Sequence, residues 1–103
     1  MRASEYSSFD GLGLAALVAK GEVSSDELAV CANTLIAERN PSLNAVLSTL
    51  ESQPFSQSQP FTGVPFLIKE LVLQARGAPC RAGSRATLTN PVLADSNLMQ
   101  RFR

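Results

Sequence analysis

The chain has 103 residues, 45% hydrophobic and 17% charged, which fits one globular domain with a modest core and excludes an intrinsically disordered chain. Nine basic residues balance nine acidic ones, with one Tyr and no Trp, so the chain offers neither a basic field nor a stacking platform for nucleic acid. It has no histidine, which removes the usual general base and the usual zinc ligand together, and no apolar run approaches the roughly 18 residues of a membrane span.

In chain order, "MRASEYSSFDGL" lacks an apolar h-region, so no secretory signal is read and a cytoplasmic location is expected. Asp10 is an expected N-cap. Leu12, Leu14, Leu17 and Val18 follow it, and Gly21 supplies a stop just after Lys20, which predicts a first helix over about 10–20. In "SSDELAVCANTLIAERNP", Ser24 and Glu27 have capping-box spacing. Leu28, Cys31, Ala32, Leu35 and Ile36 then fall on one helical stripe, and Asn40-Pro41 is expected to end this second helix.

"NAVLSTL" (44–50) reads as a short strand, and residues 51–62 as a Ser/Gln/Pro-rich loop. "VPFLIKELVLQA" (64–75) is the longest apolar run. As a strand it places Leu67, Lys69, Leu71 and Leu73 on one face and Phe66, Ile68, Glu70 and Val72 on the other, as in a strand covered on both sides. "RGAPCRAGSR" (76–85) and "TNPVLADSN" (89–97) read as connectors, and Asp95 or Ser96 as the cap of a last helix carrying Leu98, Met99 and Phe102. Cys31 and Cys80 form no C-x-x-C pair. Two buried free thiols and a bridge between them are both open, the free thiols being the commoner arrangement in a cytoplasmic chain.

Lys69 stands out because an ammonium group is strongly hydrated and sits here inside an apolar run. Two roles are open. It is either a strand-end lysine whose head snorkels to solvent, or a desolvated amine whose ammonium form burial disfavours, able to act as a general base. Ser84 in "AGSR" reads as a turn hydroxyl, and Arg81 and Arg85 as solvated or structural.

Five ordered segments, "LAALVAKGEVSSDEL", "AERNPSLNAVL", "FTGVPFLIKELV", "GAPCRAGSRA" and "ADSNLMQRFR", together resemble the N-terminal part of an amidase-signature hydrolase. The resemblance implies an α/β fold: two N-terminal helices, then strands of a mixed sheet that is incomplete here, with residues 1–103 as the N-terminal portion of a single domain. It implies an amidohydrolase that cleaves a carboxamide C–N bond with a serine nucleophile, a second serine in a cis peptide and a lysine. Lys69 falls on the catalytic lysine's position, no cofactor or metal is expected, and the partner is a small-molecule amide, without nucleic acid or membrane.

Four departures accompany the resemblance. Glu70 stands where aspartate is usual, Cys80 where threonine is commoner, and "ESQPFSQSQPFT" where the family has a helix. No serine- and glycine-rich signature segment occurs before Arg103, so the 103 residues alone are expected to be inactive. Two alternatives remain: the amidotransferase subunit that feeds ammonia to mischarged tRNA, and a non-catalytic binding or interaction module.

Overall fold

The computed structural model describes residues 1–50, 59–87 and 92–103. It divides into two compact units. The described residues of the first are 1–49 and 59–66, and those of the second are 50, 67–87 and 92–103.

The first unit is helical. Helix α1 spans Ala3–Tyr6, α2 Gly11–Ala19 and α3 Ser25–Leu43. Asp10 caps α2 by accepting the Gly13 amide at 2.7 Å. At its other end the Gly21 amide donates to the Val18 carbonyl and the Glu22 amide to the Leu17 carbonyl, both at 3.0 Å. This is a Schellman motif. It needs the left-handed backbone that Gly21 adopts at φ +70°.

The capping box expected at the start of α3 forms. The Glu27 amide donates to Ser24 Oγ at 3.1 Å, and the Ser24 amide donates to Glu27 Oε2 at 2.9 Å. Two orphan helix donors are thereby satisfied, and Glu27 also faces the Met1 ammonium at 3.4 Å. The Ser24 amide and hydroxyl, with the ammonium behind them, hold the Glu27 carboxyl below its ordinary value.

Leu28, fully buried, packs with Leu14 and Val23. Met1, Tyr6, Leu17, Val18 and Val64 close the cluster from its rim. Cys31, one turn on from Leu28, is buried and donates its thiol to the Met1 carbonyl at 3.3 Å. Burial, with a smaller contribution from Cys31, raises the Tyr6 phenol above its ordinary value.

Helix α3 passes the expected stop at Asn40-Pro41 and ends at Leu43. The reason is the Asn40 side chain. Its Oδ1 accepts the Ala45 and Val46 amides at 2.9 and 2.8 Å, and its Nδ2 donates to the Val46 carbonyl at 2.8 Å. Asn44 turns the chain with left-handed backbone, φ +49°, and donates its amide to the Asn40 carbonyl at 2.7 Å. Pro41 removes one helical hydrogen bond within the final turn, where few bonds follow it.

The α/β expectation is corrected by this structure. Among the described residues no sheet forms, and only a one-residue bridge at Pro79 has β character. Residues 44–50 pair with no strand among the described residues, and Asn40 holds the start of the segment at Ala45 and Val46. Residues 64–69 are without regular structure and the chain turns at 70–72, so the expected strand over 64–75 does not form. A lone extended segment leaves its amides and carbonyls unpaired, and a stable strand needs neighbours to receive them. The Ser/Gln/Pro-rich loop expected at 51–62 lies outside the described residues up to 58. From Gln59 it is a turn closed by the Thr62 amide on the Gln59 carbonyl at 3.0 Å.

Gly63 fixes where this segment meets the helices of its unit. Its φ is +80°, and a side chain there would stand 3.1 Å from both Ser25 Cβ and Val18 Cγ1. Only glycine allows the chain so close to the α2–α3 junction, and Val64 next to it reaches the Leu28 cluster.

The second unit has a small core of Ala75, Ala78 and Met99, with Ile68 and Leu73 packed against it. Its elements are a 3-10 turn at Arg85–Thr87 and helix α4 at Asn97–Phe102. Ser96, not Asp95, caps α4, accepting the Met99 amide at 3.3 Å. Asp95 is used elsewhere. Its Oδ1 accepts the Arg76 amide at 2.6 Å and its Oδ2 accepts Arg103 Nε at 2.8 Å. The Arg76 amide first, and then the Arg103 guanidinium, hold the Asp95 carboxyl below its ordinary value against the opposing effect of partial burial.

Candidate functional site

Lys69 lies in the second unit, just before the turn at 70–72. Its carbonyl accepts the Leu73 amide at 3.4 Å, and its side chain is exposed. The segment is anchored by Ile68 and Leu73, which pack on Ala75, Ala78 and Met99. Around those anchors the other apolar side chains face outward: Leu67 is 71% exposed and Val72 73%, with Leu71 also exposed. The expected burial of Lys69 between two covered faces is therefore corrected. The chain turns immediately after it instead of continuing into a sheet.

Glu70 is the junction of the site. Its Oε1 accepts the Arg81 amide at 2.8 Å, and its carbonyl accepts the Cys80 thiol at 3.1 Å. These two bonds join the residue beside Lys69 to a loop ten residues further along. Within that loop the Ser84 amide donates to the Arg81 carbonyl at 2.8 Å. Ala82 and Gly83 between them have φ +49° and +68°, the pair of positive angles that marks a type I′ turn. The Thr87 hydroxyl reaches back to the Arg81 carbonyl and to the Ser84 carbonyl, the latter at 3.0 Å.

Ser84 Oγ accepts the Ala86 amide at 3.2 Å, which matches the turn-hydroxyl role read from the sequence. Arg81 and Arg85 are exposed. Cys31 and Cys80 are both free thiols, Cys31 buried and Cys80 half-buried. Among the described residues no three His, Cys, Asp or Glu side chains gather closely enough to hold a metal ion. No helix of the described residues is long and apolar enough to cross a membrane.

Sequence reasoning named Lys69 and left Glu70 only as a departure from a family pattern. The signal that could have found its role is local. A carboxylate beside the lysine precedes a glycine-rich turn, and such turns carry amides that no ladder satisfies.

No family profile matches the chain, and no solved structure matches it. Three curated proteins do. Over 81 residues, 72% of the chain, it is 35% identical to a lipoamidase of Enterococcus faecalis. Over 72 residues, 66% of the chain, it is 35% identical to the 6-aminohexanoate-cyclic-dimer hydrolases of Pseudomonas sp. strain NK87 and Paenarthrobacter ureafaciens. The matched segment is 11% of the lipoamidase and 15% of each of the other two, so the chain spans a small part of the curated relatives it matches. These distant relatives are amide hydrolases, and the chain is related to them.

Proposed function

We propose that residues 1–103 are the lysine-bearing N-terminal part of an amide hydrolase of the amidase-signature type, with Lys69 as its proton carrier. One observation supports the hydrolase reading: 35% identity to three amide hydrolases across 66–72% of the chain. In that role neutral Lys69 Nζ takes the proton of a bridging serine. That serine takes the proton of a second serine as its oxygen bonds to the amide carbon. The proton then passes to the departing nitrogen as the C–N bond breaks. Water attacks the resulting ester by the same relay, releasing the acid and restoring the serine. Both serines and the oxyanion donors come from the rest of the longer enzyme.

The outward-facing row around Lys69 supports this assignment. Leu67, Leu71 and Val72 form an apolar surface that the remainder of such an enzyme would cover. Covering it would shield the lysine from bulk water, as a water-excluded active site requires. The same exposed row favours a second reading, a non-catalytic module that binds a partner through it.

A graft separates the two. Residues 1–103 are exchanged for the matching segment of the Paenarthrobacter ureafaciens hydrolase, and opening of its cyclic dimer is followed by amine release. Hydrolysis by a cooperatively melting graft is the expected result. A folded graft that opens no dimer overturns the enzymatic assignment and leaves the binding module.

A further inference from the structure

The geometry points to Glu70 as a positioning residue: its side chain, acting as a hydrogen-bond acceptor and not through its charge, latches the Cys80–Thr87 loop beside Lys69. This rests on the proposed amide hydrolase only for its purpose; the latch itself stands on the contacts. Glu70 is half-buried and bonds the loop twice, through Oε1 to the Arg81 amide and through its carbonyl to the Cys80 thiol. Each bond falls at the root of the Arg81–Ser84 turn, where a tether restrains the whole loop. The other bonds described for the loop, from Ser84 to Arg81, from Ala86 to Ser84 and from Thr87 to Arg81 and Ser84, lie inside it and set its shape.

Glu70 and Lys69 are neighbours in the chain, so the tether fixes the loop against the lysine segment. Ala82 holds a left-handed backbone that a non-glycine residue adopts only at some expense, so the turn is a specified conformation that gains from external support. The carboxylate reaches the Arg81 amide with one oxygen, a geometry that a neutral glutamine oxygen of the same length also offers. Aspartate, one methylene shorter, does not span the same gap from this backbone.

The test uses the 103-residue chain and two readouts that need no turnover. These are hydrogen exchange at the Arg81 amide and the alkylation rate of Cys80 by iodoacetamide, with buried Cys31 as the internal reference. Glu70→Ala is expected to raise both roughly fivefold without changing exchange at Leu28, the loss of about one net hydrogen bond. Glu70→Gln is expected to keep both within about twofold of the parent, and Glu70→Asp to resemble alanine. Glu70→Gln behaving like alanine overturns the acceptor role and assigns the effect to charge. Unchanged rates in all three variants overturn the latch.

The two proposals fail separately. Latch readouts as expected in a segment whose graft opens no dimer would remove the enzyme and keep the latch. A Lys69-dependent graft with unresponsive Cys80 and Arg81 would do the reverse.

Discussion

Replacing Gly63 by alanine tests how the 61–64 turn is seated against the helices of the first unit. Gly63 sits at φ +80°, where an L-residue pays roughly 1–2 kcal/mol, so the backbone alone sets that penalty. Packing adds to it. The new methyl would stand 3.1 Å from Ser25 Cβ and 3.1 Å from Val18 Cγ1. Ser25 Cβ is fixed by the helix backbone and cannot rotate away, and Val18 is β-branched with one strongly preferred rotamer in a helix. Relief must come from moving the 61–64 turn, at a further ~1 kcal/mol, the lower end for an overpacked site. Gly21 provides the control, because its φ of +70° carries the same backbone penalty while nothing lies within 4 Å of an added methyl.

Urea unfolding followed by circular dichroism at 222 nm reads both variants. Gly21→Ala should cost about 1–2 kcal/mol and Gly63→Ala about 1 kcal/mol more, with the slope unchanged. Equal losses for the two would refute the claim that Gly63 is required by close approach to the α2–α3 junction.

Other substitutions probe neighbouring features. Asn40→Ala should release Ala45 and Val46, raising their amide exchange and costing about 1–2 kcal/mol; unchanged exchange at both would remove Asn40 as the clamp. Leu28→Ala should cost about 2–3 kcal/mol, the low end for a leucine, because the half-buried rim of Tyr6, Leu17 and Val18 can settle inward; Val30→Ala on the exposed side of α3 should cost under about 0.5. Glu27 and Asp95 both have carboxyls held below their ordinary values. Their stabilisation is therefore present above the unfolded value and is lost as pH falls below about 4. Melting temperatures between pH 6 and 3 should show that fall, flatter in Glu27→Gln and in Asp95→Asn, and an unchanged slope in both variants would contradict it.

Helices α2, α3 and α4 were legible because their signals are local, while α1 at Ala3–Tyr6 went unread. Asp10, the Ser24–Glu27 box, Gly21 after Lys20, and Ser96 each act on amides or carbonyls within four residues, so the sequence alone carries the interaction. The strands were not legible, because a strand is stabilised by partners whose presence the segment's own pattern does not encode. "VPFLIKELVLQA" alternates as a buried strand would, yet with no ladder beside it Ile68 and Leu73 pack on Ala75, Ala78 and Met99 while Leu67 and Val72 turn outward.

Asn40-Pro41 shows the opposite limit. The local rule for ending a helix was sound, and one side chain reaching Val46 outweighed it. At the candidate site, Lys69 was found through a resemblance and its exposure was not foreseen. Glu70's bond to Arg81 crosses eleven residues and depends on a turn whose handedness the sequence does not announce, since Ala82 takes a conformation more natural to glycine.

The most direct test of the central claim is turnover of the cyclic dimer by the grafted Paenarthrobacter ureafaciens hydrolase with and without Lys69→Ala. Lys69 is exposed in the 103-residue chain, so Lys69→Ala should leave the stability of that chain within about 0.5 kcal/mol of the parent. Loss of the proton carrier should lower kcat by roughly 10²–10⁴-fold with the fold intact. A folded Lys69→Ala graft that opens the dimer at the parent rate would contradict the assignment of Lys69 as the proton carrier.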